Sequence, residues 1–212
     1  MDEVAIIVGD LVFPGKSINE RDIRDELESA LQGFNEEYED LMIAPMEIVR
    51  HVSFAGGFTD ASAPFEAFIA LERKLFPVRV KAGIGVGRLS TPVRDSITVM
   101  DGRGFHRARA AIEEARRVES HLTVNTPYDD RDEMINTILS LLGVIKDGWT
   151  PRQWEVAGYY QSHEGITQTE IADVFGISQP AVAKILSRAK VKKVETTNRV
   201  IRNHLRNMLD HR

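Results

Sequence analysis

Apolar residues recur in two alternating rhythms along the first part of the chain. Val4–Asp10 (VAIIVGD) is a short apolar run closed by Gly-Asp, the signature of a buried strand. LVFPGKSI follows as a loop marked by Pro14-Gly15. Asn19 is placed to cap a helix running to about Asp40, with Ile23, Leu27, Ala30, Leu31 and Phe34 at helical spacing. Residues 44–54 suit a partly alternating strand, which the following AGG breaks. Residues 63–75 suit a helix stopped before Pro77, and 78–90 another strand carrying small residues. SITVMDGRG reads as a brief strand and turn, FHRARAAIEEARR as a helix rich in Ala, Arg and Glu, and HLTVN as a last strand. The alternation of strands and helices predicts an α/β sandwich, with helices laid against a sheet.

Residues 126–130 are polar, contain Pro, and read as a domain boundary. The next segment, 132–146, carries an apolar stripe (Met134, Ile135, Ile138, Leu141, Leu142, Ile145) and is either a connector or the first helix of a second domain. The expected division is an α/β domain over 1–126, a linker helix over 127–150, and an all-α domain over 151–212.

Within that last domain, QTEIADVFGISQPAVAKILS (168–187) meets the demands of a helix-turn-helix. Ala172 is the small residue where two helices approach, and Gly176 follows in the turn. Ile171, Phe175, Ile177, Val182 and Ile185 have inward spacing. Thr167 and Ser178 are placed to cap the two helices, and Pro180 lies in the first turn of the second, where a missing N–H costs little. Residues 151–163 supply a preceding support helix, with Trp154, Val156, Ala157 and Tyr160 as core candidates.

The second helix then turns Gln179, Pro180, Ala183, Lys184, Ser187 and Arg188 outward, toward a DNA major groove. Gln pairs with adenine, and Lys and Arg reach guanine or phosphate. Thr167, Gln168 and Thr169 are candidates for phosphate contacts, and Ser178, Lys190, Lys192 and Lys193 are further DNA-binding candidates. The competing reading is a helical hairpin with no DNA role.

Charge supports the DNA reading. The chain carries a formal net charge of −5, yet nine Lys/Arg and two Asp/Glu lie between Ser178 and Arg212. A polyanion is attracted to that end and repelled by the rest. The final segment, KVKKVETTNRVIRNHLRNMLDHR, reads as a long helix with Val194, Ile201, Leu205 and Met208 near one stripe. Its apolar stripe implies a partner: a second subunit, giving a homodimer on two half-sites, or the helix's own domain.

No cysteine is present, which excludes disulfides and thiolate zinc sites and suits a reducing, cytoplasmic setting. The start, MDEVAIIVGD, lacks the basic region of a signal peptide, and no apolar run is long enough for a membrane span. The six histidines show no ligand spacing, and GRGFHR lacks the Lys-Ser/Thr of a phosphate loop.

Gly9-Asp10 after the first strand, SINERDI, NEEYEDL, RVKAGIGVGRLST and DGRGFHRARAAIEEAR resemble the SatD family over about Val4 to Arg117. More distantly they resemble the catalytic fold of class III nucleotidyl cyclases, whose framework is ferredoxin-like. The cyclase resemblance implies two carboxylates holding divalent cations. Asp10 matches the first. The second belongs to a turn between the second and third strands, where this chain has AGGFTD (55–60), with glycines at the acidic pair and Asp60 displaced. The resemblance therefore implies a cyclase-like domain that has lost its catalytic acids and serves as a sensor or dimer platform, with no metal and no cofactor.

The remaining candidates in this domain each have two readings. Asp10, Arg103 and Arg107 are candidates for binding a small-molecule or nucleotide effector, with Arg109 beside them. Equally, Asp10 is a residue type that ends a strand, the arginines suit a solvated helix face, and GIGVG suits close packing of strand and helix. The whole is read as a DNA-binding transcriptional regulator, not an enzyme. The rival readings are a metal-dependent nucleotide-processing enzyme using Asp10 with Asp60 or Asp101, and an adaptor that contacts protein or RNA.

Overall fold

A computed structural model describes residues 3–13 and 19–209 of the chain, so the expected Pro14-Gly15 loop lies outside the described residues. Of these described residues, those up to Ser140 form one compact unit together with those from Ile201, and Leu141–Val200 form a second.

The first unit is a mixed α/β fold. β1 (Glu3–Val12), α1 (Glu20–Glu37), β2 (Met42–Arg50), β3 (Ser53–Phe58), α2 (Ala63–Lys74), β4 (Arg79–Arg88), α3 (Arg103–Arg117) and β5 (Leu122–Asn125) follow in order. The five strands lie in the order β2-β3-β1-β4-β5. The first four run antiparallel to their neighbours, and β5 runs parallel to β4. β1 is central and buried on both faces, which explains its unbroken apolar run. α1 forms where its pattern places it: the Asn19 side chain accepts from the Arg21 N–H at 3.1 Å, and Ile23, Leu27, Ala30, Leu31 and Phe34 are buried.

Two glycines of β4 bring α3 directly onto the sheet. A Cβ at Gly83 would sit 2.2 Å from the Ile112 backbone N, and one at Gly85 would sit 2.2 Å from the Ala108 backbone N. The glycine-rich strand is therefore a packing surface, and Ala108, Ala111 and Ala115 of α3 complete it as buried small residues.

Three expectations are corrected. AGG does not break a strand: Ala55, Gly56 and Gly57 lie inside β3, and β2 and β3 meet instead at the turn 51–52. The glycines persist there because a Cβ at Gly56 would meet the Met46 side chain at 2.4 Å. SITVMDGRG contains a short 3-10 helix, Ile97–Val99, and not a strand. Residues 126–130, read as a domain boundary, lie inside the first unit. Thr126 donates its N–H and its hydroxyl to the two carboxylate oxygens of Asp132, at 2.5 and 2.7 Å. Asn136 pairs with both backbone groups of Val124 in β5. The first turns of α4 (Asp129–Asp147) are thus fastened to the sheet, and the division between units falls within this helix.

Among the described residues that follow, the elements are helices: α5 (Pro151–Ser162), α6 (Gln168–Phe175), α7 (Gln179–Arg188) and α8 (Val191–Arg206). The tail stripe is not an exposed seam. Val194 is buried, and so are Ile201, Leu205 and Met208 in the first unit. There Arg202 of α8 forms a two-pronged ion pair with Glu66 of α2. The apolar stripe is buried within the chain, and from Ile201 on it belongs to the first unit and not to a separate all-α domain over 151–212.

Candidate nucleic-acid interface

α5, α6 and α7 of the second unit share a core of Trp154, Val156, Ala157, Ile171, Ala172, Val182 and Leu186, all buried. Each helix starts on a side-chain cap. Thr150 and Gln153 exchange hydrogen bonds at the head of α5, and Thr167 and Glu170 do the same at the head of α6. The Thr167 backbone N–H, followed by its hydroxyl, holds the Glu170 carboxyl below the usual carboxylate range. The Thr167 hydroxyl, expected to face phosphate, thus has a structural task already.

The turn after α6 is closed by Gly176 at φ 61° and ψ 37°. The Ile177 N–H donates to the Ala172 carbonyl at 3.0 Å and the Gly176 N–H to the Asp173 carbonyl at 3.3 Å, the paired bonds of a glycine-terminated helix. Ser178 then caps α7 by accepting from the Ala181 N–H at 3.4 Å, with Pro180 in the first turn. Of the expected inward residues, Ile171 and Val182 are fully buried, and Phe175, Ile177 and Ile185 are half-buried. Leu186, one helical turn after Val182, was not among them, although its spacing signals it. Phe175 lies beneath the Arg152 guanidinium at 4.7 Å and edge-on to Tyr159 at 5.5 Å.

The outward set is where the pattern placed it. Gln179, Pro180, Lys184, Ser187 and Arg188 are exposed on α7, and Ala183 is half-exposed. Thr167, Thr169, Ser178, Lys190, Lys192 and Lys193 are exposed around them. Two of these side chains are joined: Gln179 Nε2 donates to Gln168 Oε1 at 2.6 Å. At the far end of α7, Trp149 donates its indole N–H to the Ala189 carbonyl at 3.0 Å and packs edge-on against Trp154 at 4.9 Å.

A family model matches residues 4–205, that of the SatD family. The chain belongs to the SatD family. The match spans both units and reaches well beyond the Val4–Arg117 stretch whose motifs carried the resemblance. No curated protein matches the chain.

In this SatD-family protein the candidate ligand residues of the first unit do not converge. Asp10 forms an ion pair with Arg116 near the end of α3. Arg103 stands at the start of the same helix, about 20 Å away along its axis. Arg107 donates to the Val86 carbonyl at 2.6 Å. Arg109 is exposed on the helix surface.

The carboxylates do not suit a shared cation. Asp10 pairs across the sheet with Ser53, whereas Phe58, two residues before Asp60, pairs with Ala5. Five rungs of β1 separate the two positions, about 17 Å. Asp60 is occupied at the head of α2, where it accepts from the Ser62 N–H and hydroxyl at 2.6 and 2.7 Å. Asp101 lies beside Ser90 and Thr91, past the end of β4 that faces Glu3. Among the described residues no group of three or more His, Asp or Glu side chains is gathered in a way that could hold a metal ion. None of the described helices is long and apolar enough to cross a membrane.

Proposed function

We propose that this SatD-family protein is a transcriptional regulator that reads double-stranded DNA through a helix-turn-helix made of α6 and α7. The observation that carries the reading is the Gln168–Gln179 hydrogen bond on a face bordered by Lys184, Arg188, Lys190, Lys192 and Lys193. The bond holds the Gln179 amide at the head of α7, the end by which a reading helix meets base edges. α7 enters the major groove by its N-terminal half, and the lysines that follow grip the backbone.

The first unit then serves as sensor or dimer platform. Its β-α-β-β-α-β order is the split arrangement of ferredoxin-like folds, which agrees with the cyclase-like framework. A homodimer supplies the two-fold symmetry that paired half-sites require. The Asp10–Arg116 pairing and the wide spacing of Asp10 and Asp60 weigh against the metal-dependent nucleotide-processing alternative.

Fluorescence anisotropy with a duplex from the region upstream of the protein's own gene, run across a salt series, tests the reading. The expected result is binding that weakens steeply with salt and falls further with Lys184→Ala and Arg188→Ala. Unchanged affinity in both variants would overturn it. Turnover of a nucleoside triphosphate with Mg²⁺ or Mn²⁺ that is lost in Asp10→Asn would establish the alternative.

A further inference from the structure

The second unit carries a cleft of ≈ 390 Å³ beside the proposed reading helix. That volume is of the size that takes a small organic ligand. Its floor is apolar: Leu186 and Val191 are buried, and Tyr160 is half-buried. Lys190, Lys192 and Lys193 line it as well. Lys192 is drawn toward Glu195, whereas Lys190 and Lys193 have no carboxylate partner among the described residues.

The backbone at Lys190 adds a second, independent observation. Lys190 has φ 53°, in the left-handed region that favours glycine or asparagine after a helix. A lysine held there keeps an ammonium group at the cleft despite a backbone setting that suits another residue. An apolar floor beneath unopposed cations selects an anion with an apolar body. A bare phosphate would gain nothing from Leu186, Val191 and Tyr160.

We propose that this cleft binds a small amphipathic anion, an aryl or alkyl carboxylate or sulfonate, and that its occupancy displaces DNA. The second half rests on the DNA reading above. Ala183 and Ser187 line the cleft and also belong to the outward face of α7, so ligand and duplex compete for the same side of the helix.

The test titrates the full chain with anilinonaphthalene sulfonate, followed by its fluorescence. One saturable site is expected, weakened about tenfold in Lys190→Gly, since the substitution removes a charge-assisted contact. Lys190→Gly relaxes the backbone at that position, so its thermal stability should hold or rise while binding falls. Ala183→Phe should block the site, Val99→Ser in the first unit should leave it intact, and inorganic phosphate at equal ionic strength should not displace the probe.

Fluorescence unaffected by Lys190→Gly and Ala183→Phe, or abolished by Val99→Ser, would overturn the site. Saturating probe that leaves measurable DNA binding unchanged would overturn the competition. Absence of DNA binding beside an intact, Lys190-dependent fluorescence response would overturn the DNA reading and support the anion site on its own.

Discussion

Gln179 Nε2 donates to Gln168 Oε1 at 2.6 Å, joining the first residue of α7 to the first residue of α6. The bond spends one of the two N–H groups of Gln179 and leaves its other N–H and its carbonyl oxygen. Those two groups are the complement of the N7 and N6 edge of adenine. Gln179→Ala is therefore expected to lose about 1–3 kcal/mol of preference for adenine at one operator position. Gln168→Ala should keep the preference and reduce it, because the amide is then free to turn. Titration of duplexes altered at single positions distinguishes the two.

Lys184 and Arg188 are exposed one turn apart on the same face. If they grip phosphate, replacing either by alanine weakens binding to all duplexes by similar factors and lowers the salt slope by about 1. Log–log plots of affinity against salt concentration read this directly. A change confined to one sequence would reassign the side chain to base contact.

Two glycines should respond differently to the same substitution. Gly176 has open space around a Cβ but sits at φ 61°, so Gly176→Ala is expected to cost about 1 kcal/mol. Gly85→Ala would drive a methyl group to 2.2 Å from the backbone of α3, where no side chain can move aside. Its expected cost is about 3 kcal/mol or more. Urea unfolding measures both, and asparagine at 176 should restore part of the loss while asparagine at 85 should not.

Burial raises the pKa of Asp132 above the usual carboxylate value, against the lowering effect of its bonds from Thr126. A raised acid pKa means that the folded state favours the protonated carboxyl. Asp132 thus contributes stability fully below about pH 3.9, the unfolded value, and that contribution is lost as pH rises through the raised folded value. Asp132→Asn can keep both contacts to Thr126 without titrating. The difference in Tm between the two proteins should shift in favour of Asp132→Asn as pH increases from 3 to 7; a difference independent of pH would refute the assignment.

Leu141 and Val144 lie about one helical turn apart on α4 and are 61% and 70% exposed. With the α8 stripe buried and the first unit acting as sensor, the proposed second subunit would rest on this exposed pair in the second unit instead. Leu141→Glu with Val144→Glu should convert a dimer to a monomer in sedimentation equilibrium and weaken DNA binding through the lost half-site. A dimer that survives both charges would place the interface elsewhere.

Much of the candidate interface was legible in the chain. The caps at Thr167 and Ser178, the left-handed Gly176 and the outward set on α7 all follow from residues within a few positions of each other. The sheet was less legible. Residues 44–54 read as one strand ended by the glycines that follow, because single-sequence patterns treat glycine as a breaker. In the fold, Gly56 and Gly57 make room for side chains from β2 and the 97–99 turn.

The sequence by itself determined the helices, their caps and the basic end of the chain, since those depend on local spacing and summed charge. Only the tertiary structure decided that the end of α8 belongs with the α/β unit, that Asp10 faces Arg116, and that Asp10 and Asp60 stand on different rungs of the sheet. Each of these depends on strand register and long-range pairing. A shift of one residue in register redirects every side chain of a strand, and no neighbour in the sequence records it.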